Sequence, residues 1–228
     1  MSSADKARRW RQILVELRPD LPGEWSLRGR GIGTLLVREP AEWSVAWIGY
    51  SGSPTRPQGW VSAGVQPLVA PFISWIMTYG VRTDEVRSGP RTVDLLSDEA
   101  PDQTRRFVLD TGLAEIDSWP AERLAEVAER DYAQAPAKRR THWDEVPGWR
   151  VVTGSASPVE PARELAALFR ERAAGASGKA IRQLTERATF YERLIAAWQE
   201  GERDAALRFL TDQREQAFAA RKLDVVTA

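Results

Sequence analysis

Cysteine is absent from the 228 residues, and histidine occurs once, at His142. The first absence excludes thiol nucleophiles, disulfides and thiolate metal sites. The second excludes any site built on two or more imidazoles. No apolar run reaches the length of a membrane span, and the start MSSADKARRW carries no apolar signal core. A cytoplasmic location with no membrane partner is therefore expected. A dominant charge is also missing: 32 acidic residues balance 32 basic ones, which excludes a chain-wide basic field for nucleic acid or anionic lipid. Lysine is scarce, with arginine supplying 28 of the 32 basic residues, a bias that fits a GC-rich bacterial genome.

Charge is nonetheless uneven. Residues 84–131 hold 13 acids against 6 arginines, whereas residues 138–182 hold 9 basic residues against 5 acids. The two segments complement each other within the fold, or together form a dipolar surface that steers a charged partner.

Hydrophobic periodicity divides the chain. Trp10, Ile13, Leu14 and Leu17 share one face of a helix over residues 3–18, closed by Pro19 and Pro22. Residues 25–30 and 32–38 flank Gly29, Gly31 and Gly33 and form a hairpin. In residues 42–50, Trp43, Val45 and Trp47 alternate with polar or small residues. In 60–66, Val61, Ala63 and Val65 do the same, the pattern of an antiparallel meander with one face buried. The apolar run 68–80 forms a buried helix or strand behind Pro71. Residues 91–96 and 104–109 suggest further short strands. A helix capped by Ser118 uses Leu124, Val127 and Ala128, and Trp149–Thr153 suggests one more strand. Thereafter the chain is helical. Ile181, Leu184, Ala188, Tyr191, Ile195 and Trp198 form a short heptad seam, Gly201 breaks it, and a final helix carries Ala206, Leu207, Leu210 and Phe218.

The fold class expected is α+β: an N-terminal antiparallel sheet with flanking helices, then an α-helical C-terminal region built as a helical hairpin or three-helix tail. The boundaries expected are 1–135 for the sheet domain, 136–157 for a connection and 158–228 for the helical region.

Three short motifs fall short of the chemistry they suggest. GYSGS at 49–53 has Gly49 and Ser51 of a nucleophile elbow, but Ser53 replaces the second glycine. The turn 174–180 resembles a phosphate loop, but Ala173 and Ala180 replace its glycine and hydroxyl positions, and it joins two helical patterns. GRGIG at 29–33 lacks the third glycine of a dinucleotide fingerprint. His142 with Asp144 and Glu145 offers either a ligand set or an acid–base pair, at a spacing that is not diagnostic. The acidic pairs Asp84/Glu85 and Asp98/Glu99 read as loop residues. No catalytic residue, cofactor or metal is assigned.

Ten tryptophans remain to be explained. Most suit a core, but Trp60, Trp143 and Trp149 border polar turns, and an exposed tryptophan is a strong anchor for a protein partner. Arg139 and Arg140 lie beside Trp143 in KRRTHW, a mixture that also suits phosphate contact and base stacking. These five residues are the candidate partner-binding set. The order of helix, glycine-punctuated hairpin, Trp-rich strand and PLVAPF resembles uncharacterised bacterial α+β proteins, some of which act as partners, immunity factors or accessory subunits. No motif is specific enough to transfer a residue role. The leading expectation is a non-catalytic protein-interaction module. Nucleic-acid binding through 138–143 and a small hydrolase at 49–53 are the alternatives, and residues 181–198 offer a route to a homo-oligomer.

Overall fold

In the computed structural model, residues 3–52, 56, 58–71, 79–87, 89–134 and 142–220 are described. Helix α1 (Ser3–Leu17) buries Trp10, Ile13, Leu14 and Leu17, the face that its spacing predicts. The chain then forms strands β1 (Glu24–Arg28), β2 (Leu35–Glu39), β3 (Ser44–Gly52), β4 (Gln58–Pro67), β5 (Tyr79–Arg82) and the short β6 (Val93–Asp94). They make one sheet in the order β1-β2-β3-β4-β5, with β6 also paired to β4. Pairing is antiparallel, as in Leu27 opposite Leu36, Val37 opposite Trp47 and Ser62 opposite Arg82. The β1–β2 turn is a single 3-10 turn at Gly31–Gly33, entered through Gly29 at φ +83°. Glycine takes that conformation without strain.

The strands differ from simple half-buried strands. In β4 the outward set Ser62, Gly64 and Gln66 is buried as well as Val61, Ala63 and Val65. In β3 alternation ends after Trp47, because Ile48, Gly49 and Tyr50 are all buried. Both central strands are thus covered on two sides. Trp47 is core and Trp43 half-buried, while Trp75 lies outside the described residues. Of the run 68–80, Leu68 and Val69 are buried, residues 72–78 lie outside the description, and Tyr79 opens β5.

Two expected strands are helices. Residues 104–109 fall in α2 (Ala100–Phe107) and in a π-helical turn (Val108–Gly112) that leads into α3 (Leu113–Asp117). Pro101 in the first turn favours a helix start, and Ala100, Thr104 and Phe107 are buried at helical spacing. Residues 149–153 fall in α5 (Val146–Thr153), where Pro147 again sits in the first turn and Gly154 at φ +67° closes the end. Its valines favour strands, but Val146, Trp149 and Val151 are all fully buried, and packing overrides propensity. In α4 (Ala121–Gln134), Ala125 joins Leu124 and Ala128 in the core, and Val127 is only half-buried.

Helix α6 (Val159–Ala174) leads through a plain turn at 175–178 into α7 (Lys179–Ala220). Helix α7 is two helices meeting at a kink, where Gly201 and Glu202 leave helical φ/ψ. The break expected at Gly201 is present. Of the heptad seam, Ala188 and Tyr191 are buried together with Leu194, whereas Ile181 is 43% exposed. Tyr191 stacks on Phe169 of α6 at 6.0 Å, and Phe190 packs on Phe209 across the kink at 5.3 Å. Much of the seam is therefore used inside the chain.

The architecture is α+β with a helical C-terminal part. Among the described residues, one compact unit gathers Met1–Gln66, Ser74–Pro120 and the chain from Phe218. A second gathers Pro67–Ile73 and Ala121–Ala217. Helix α4 thus belongs with the helical unit, and part of the segment expected as a connection is its helix α5. No described helix is long and apolar enough to cross a membrane.

Candidate functional site

Of the tryptophans proposed as anchors, Trp60 alone keeps a partly open ring. It sits near the start of β4 and is half-buried. The β4–β5 register brings Arg82 alongside, and its guanidinium lies 5.1 Å over the Trp60 ring. Arg82 is held in turn by Asp84 through two bonds, from Nε to Oδ1 at 2.5 Å and from Nη2 to Oδ2 at 2.9 Å. This fork holds the Arg82 guanidinium above its ordinary value. The turn that positions Asp84 (Thr83–Glu85) is itself fixed. The Arg82 amide donates to Glu85 Oε2 at 2.8 Å, and the buried Thr83 hydroxyl donates to the Arg91 carbonyl at 3.2 Å.

The Arg82 and Asp84 side chains are 35% and 26% exposed. An ion pair so open contributes at most about 1 kcal/mol, and the cation–π contact a similar amount. The effect of the arrangement is therefore orientation: a tryptophan ring and an arginine plane held in one geometry on the sheet. In the sequence nothing marks Arg82, and Asp84/Glu85 read as loop acids. The link between Trp60 and Arg82 exists only through strand register, which no local motif announces.

Trp143 and Trp149 are placed otherwise. Trp143 is 7% exposed and Trp149 is fully buried, so the exposure expected at these turns is not found. Arg139 and Arg140 lie outside the described residues.

The polar group around His142 lies within the helical unit. The imidazole Nδ1 is 3.7 Å from Glu145 Oε1, and Nε2 is 3.9 Å from Asp131 Oδ2 at the end of α4. Glu145 is buried and accepts a long bond, 3.4 Å, from the Trp149 indole. Asp144 accepts from Arg187 Nη2 at 2.6 Å, its carbonyl accepts from the Tyr191 hydroxyl at 2.7 Å, and the Arg187 guanidinium lies 4.2 Å over Phe169. Burial opposes a charged imidazole, but the nearby carboxylate of Glu145, with those of Asp131 and Asp144, outweighs it. They hold His142 above its ordinary 6.5. Burial also lifts Asp144 above the usual carboxylate range, against the pull of Arg187. Both imidazole nitrogens face carboxylates, which favours the charged form over the free lone pair that a general base or a metal ligand needs. Among the described residues, no group of three or more acids and histidines is placed to hold a metal. The cluster ties the 142–145 segment to α4, α6 and α7.

A pH effect follows. Because the folded pKa of His142 exceeds its unfolded value, its stabilisation is complete below about pH 6.5 and is lost as pH rises through the folded pKa. The raised Asp144 pKa acts with the same sign at lower pH. The urea midpoint of the helical unit is expected to fall as pH rises above about 6.5, and His142→Gln should flatten that fall. A midpoint that rises over this range would contradict the assignment.

Ser51 is exposed within β3, which runs on to Gly52. It therefore lies in a strand and not at a strand-to-helix elbow. It belongs to the sheet unit, and His142 to the helical unit. The turn at 174–180 is interhelical, with Gly178 at φ +57°.

No protein-family model matches the chain, and no curated protein or solved structure is significantly similar to it.

Proposed function

We propose that the chain is a non-catalytic protein-interaction module of the bacterial cytoplasm, an accessory, immunity or assembly factor, and that Trp60 is its contact residue. The observation that supports this is the braced Trp60–Arg82–Asp84 group. Tryptophan and arginine dominate the energetics of protein interfaces. Side chains already held in one geometry lose less freedom on binding, so more of their contact energy appears as affinity. An enzyme reading has weaker support, since Ser51 lies in a strand and the carboxylates around His142 favour its charged form.

The test compares affinity capture from the native host with the wild-type chain and with Trp60→Ala. Truncating an interface tryptophan costs about 2 kcal/mol or more, so capture of a stoichiometric protein should fall at least about tenfold. The half-buried ring should affect folding much less, which circular dichroism would verify. Capture unchanged by Trp60→Ala would remove this site, and capture of nucleic acid that weakens steeply with salt would favour the alternative at 138–143.

A further inference from the structure

The π-helical turn Val108–Gly112 is the least expected local feature of the sheet unit. Such turns are rare, and they concentrate at functional sites because they re-aim side chains. Here the turn is pressed onto the sheet through Gly112, where a Cβ would stand 2.8 Å from the Ala63 methyl. A cleft of about 280 Å³ opens beside it, with Val86, Pro90 and Phe107 as its apolar lining and Arg106, Asp110 and Thr111 as polar lining.

Arg106 and Asp110 are both exposed and four residues apart. On a regular helix, opposite charges at this spacing close on each other. The wider turn carries Asp110 off that line. Among the described residues neither Arg106 nor Asp110 forms an ion pair, and the Thr111 side chain forms no hydrogen bond. An arginine and a carboxylate thus line one cleft without neutralising each other, above an apolar floor.

We propose that this cleft binds a free α-amino acid with an apolar side chain. Its carboxylate would meet the Arg106 guanidinium, a matched fork. Its ammonium would meet Asp110, the Thr111 hydroxyl would take up a remaining donor or acceptor, and the side chain would lie against Phe107, Val86 and Pro90. The size admits a small ligand: about 280 Å³ lies at the lower end of the range of small-molecule pockets. The site is independent of the Trp60 reading.

The experiment is thermal unfolding and isothermal titration of the full chain with L-leucine, L-valine and L-methionine at millimolar concentration, beside N-acetyl-leucine and leucine amide. Free amino acids should raise the midpoint and the blocked forms should not. Arg106→Gln and Asp110→Asn replace exposed side chains, so both variants should fold with unchanged midpoints in the absence of ligand. Each should weaken binding at least about tenfold, the usual effect of losing a charge-assisted hydrogen bond. No midpoint shift with any free amino acid would overturn the proposal. So would binding shared equally by the blocked forms, or binding that survives both substitutions.

Discussion

Gly148→Ala is expected to destabilise the helical unit by more than about 3 kcal/mol, lowering its thermal midpoint by on the order of 10 °C. Helix propensity alone predicts the opposite, because alanine in a helix interior is favoured over glycine by about 1 kcal/mol. Packing decides the sign. A Cβ at Gly148 would stand 2.0 Å from the Val69 carbonyl oxygen and 2.7 Å from the Val69 Cβ. The obstacle is backbone, so no rotamer change removes it. Either α5 or the segment around Val69 must move, and both are buried. Gly175→Ala is the control: its nearest neighbour would be the Arg172 carbonyl at 4.0 Å, and little change is expected. Urea or thermal melts of the two variants would separate the explanations. A Gly148→Ala protein as stable as the wild type would show that α5 does not approach Val69 in this way.

That contact also shows where sequence reading stops. Nothing around Gly148 in the sequence marks a close approach to a residue 79 positions earlier. Features written in a few adjacent residues were legible. Helix α1 declares its buried face and its proline stop, the glycines at 29–33 declare a hairpin, and Gly201 declares the break in α7. The misread elements, α2 and α5, carry runs such as Phe107–Leu109 and Trp149–Val152 that favour strands. The decisive signals were Pro101 and Pro147 in the first turns, which outrank side-chain propensity because they prepare the backbone for a helix. The π turn has no sequence signature at all.

The candidate sites divide in the same way. Asp144 and Glu145 pair with His142 in the sequence, because they follow it within one turn. Asp131 and Arg187, which complete that cluster, arrive from other helices. Trp60 stands out in the sequence by its place beside a turn, but Arg82, which gives it a fixed setting, comes from the neighbouring strand. Trp149 would be a boundary residue if its segment were a strand. As part of a helix buried nearly all round, it is core.

The second large effect belongs to the sheet unit. Trp10→Ala is expected to cost about 3–5 kcal/mol, a large share of the roughly 5–15 kcal/mol that holds a domain folded. Trp10 is fully buried, and its ring centroid lies 5.5 Å from that of Tyr50 in β3. Its indole N–H donates to the Thr34 carbonyl at 2.8 Å, just after the Gly31–Gly33 turn. The residue therefore joins α1 to both the β1–β2 turn and the central sheet. Burial is also what pushes the Tyr50 hydroxyl up to about 12, with the charge of Asp94 adding to it. Trp10→Phe separates the two roles: it keeps most of the apolar contact but leaves the Thr34 carbonyl without its donor. That variant should cost about 2 kcal/mol, the sum of a small cavity and one unsatisfied buried acceptor. In Trp10→Ala the cavity beside Tyr50 should also ease its ionisation, so the tyrosine absorbance near 295 nm should rise at lower pH than in the wild type. Equal losses in the alanine and phenylalanine variants would assign nearly all the stabilisation to the Thr34 bond. A loss confined to alanine would assign it to packing. The intermediate value follows from a residue whose ring fills the core while its N–H fixes the turn.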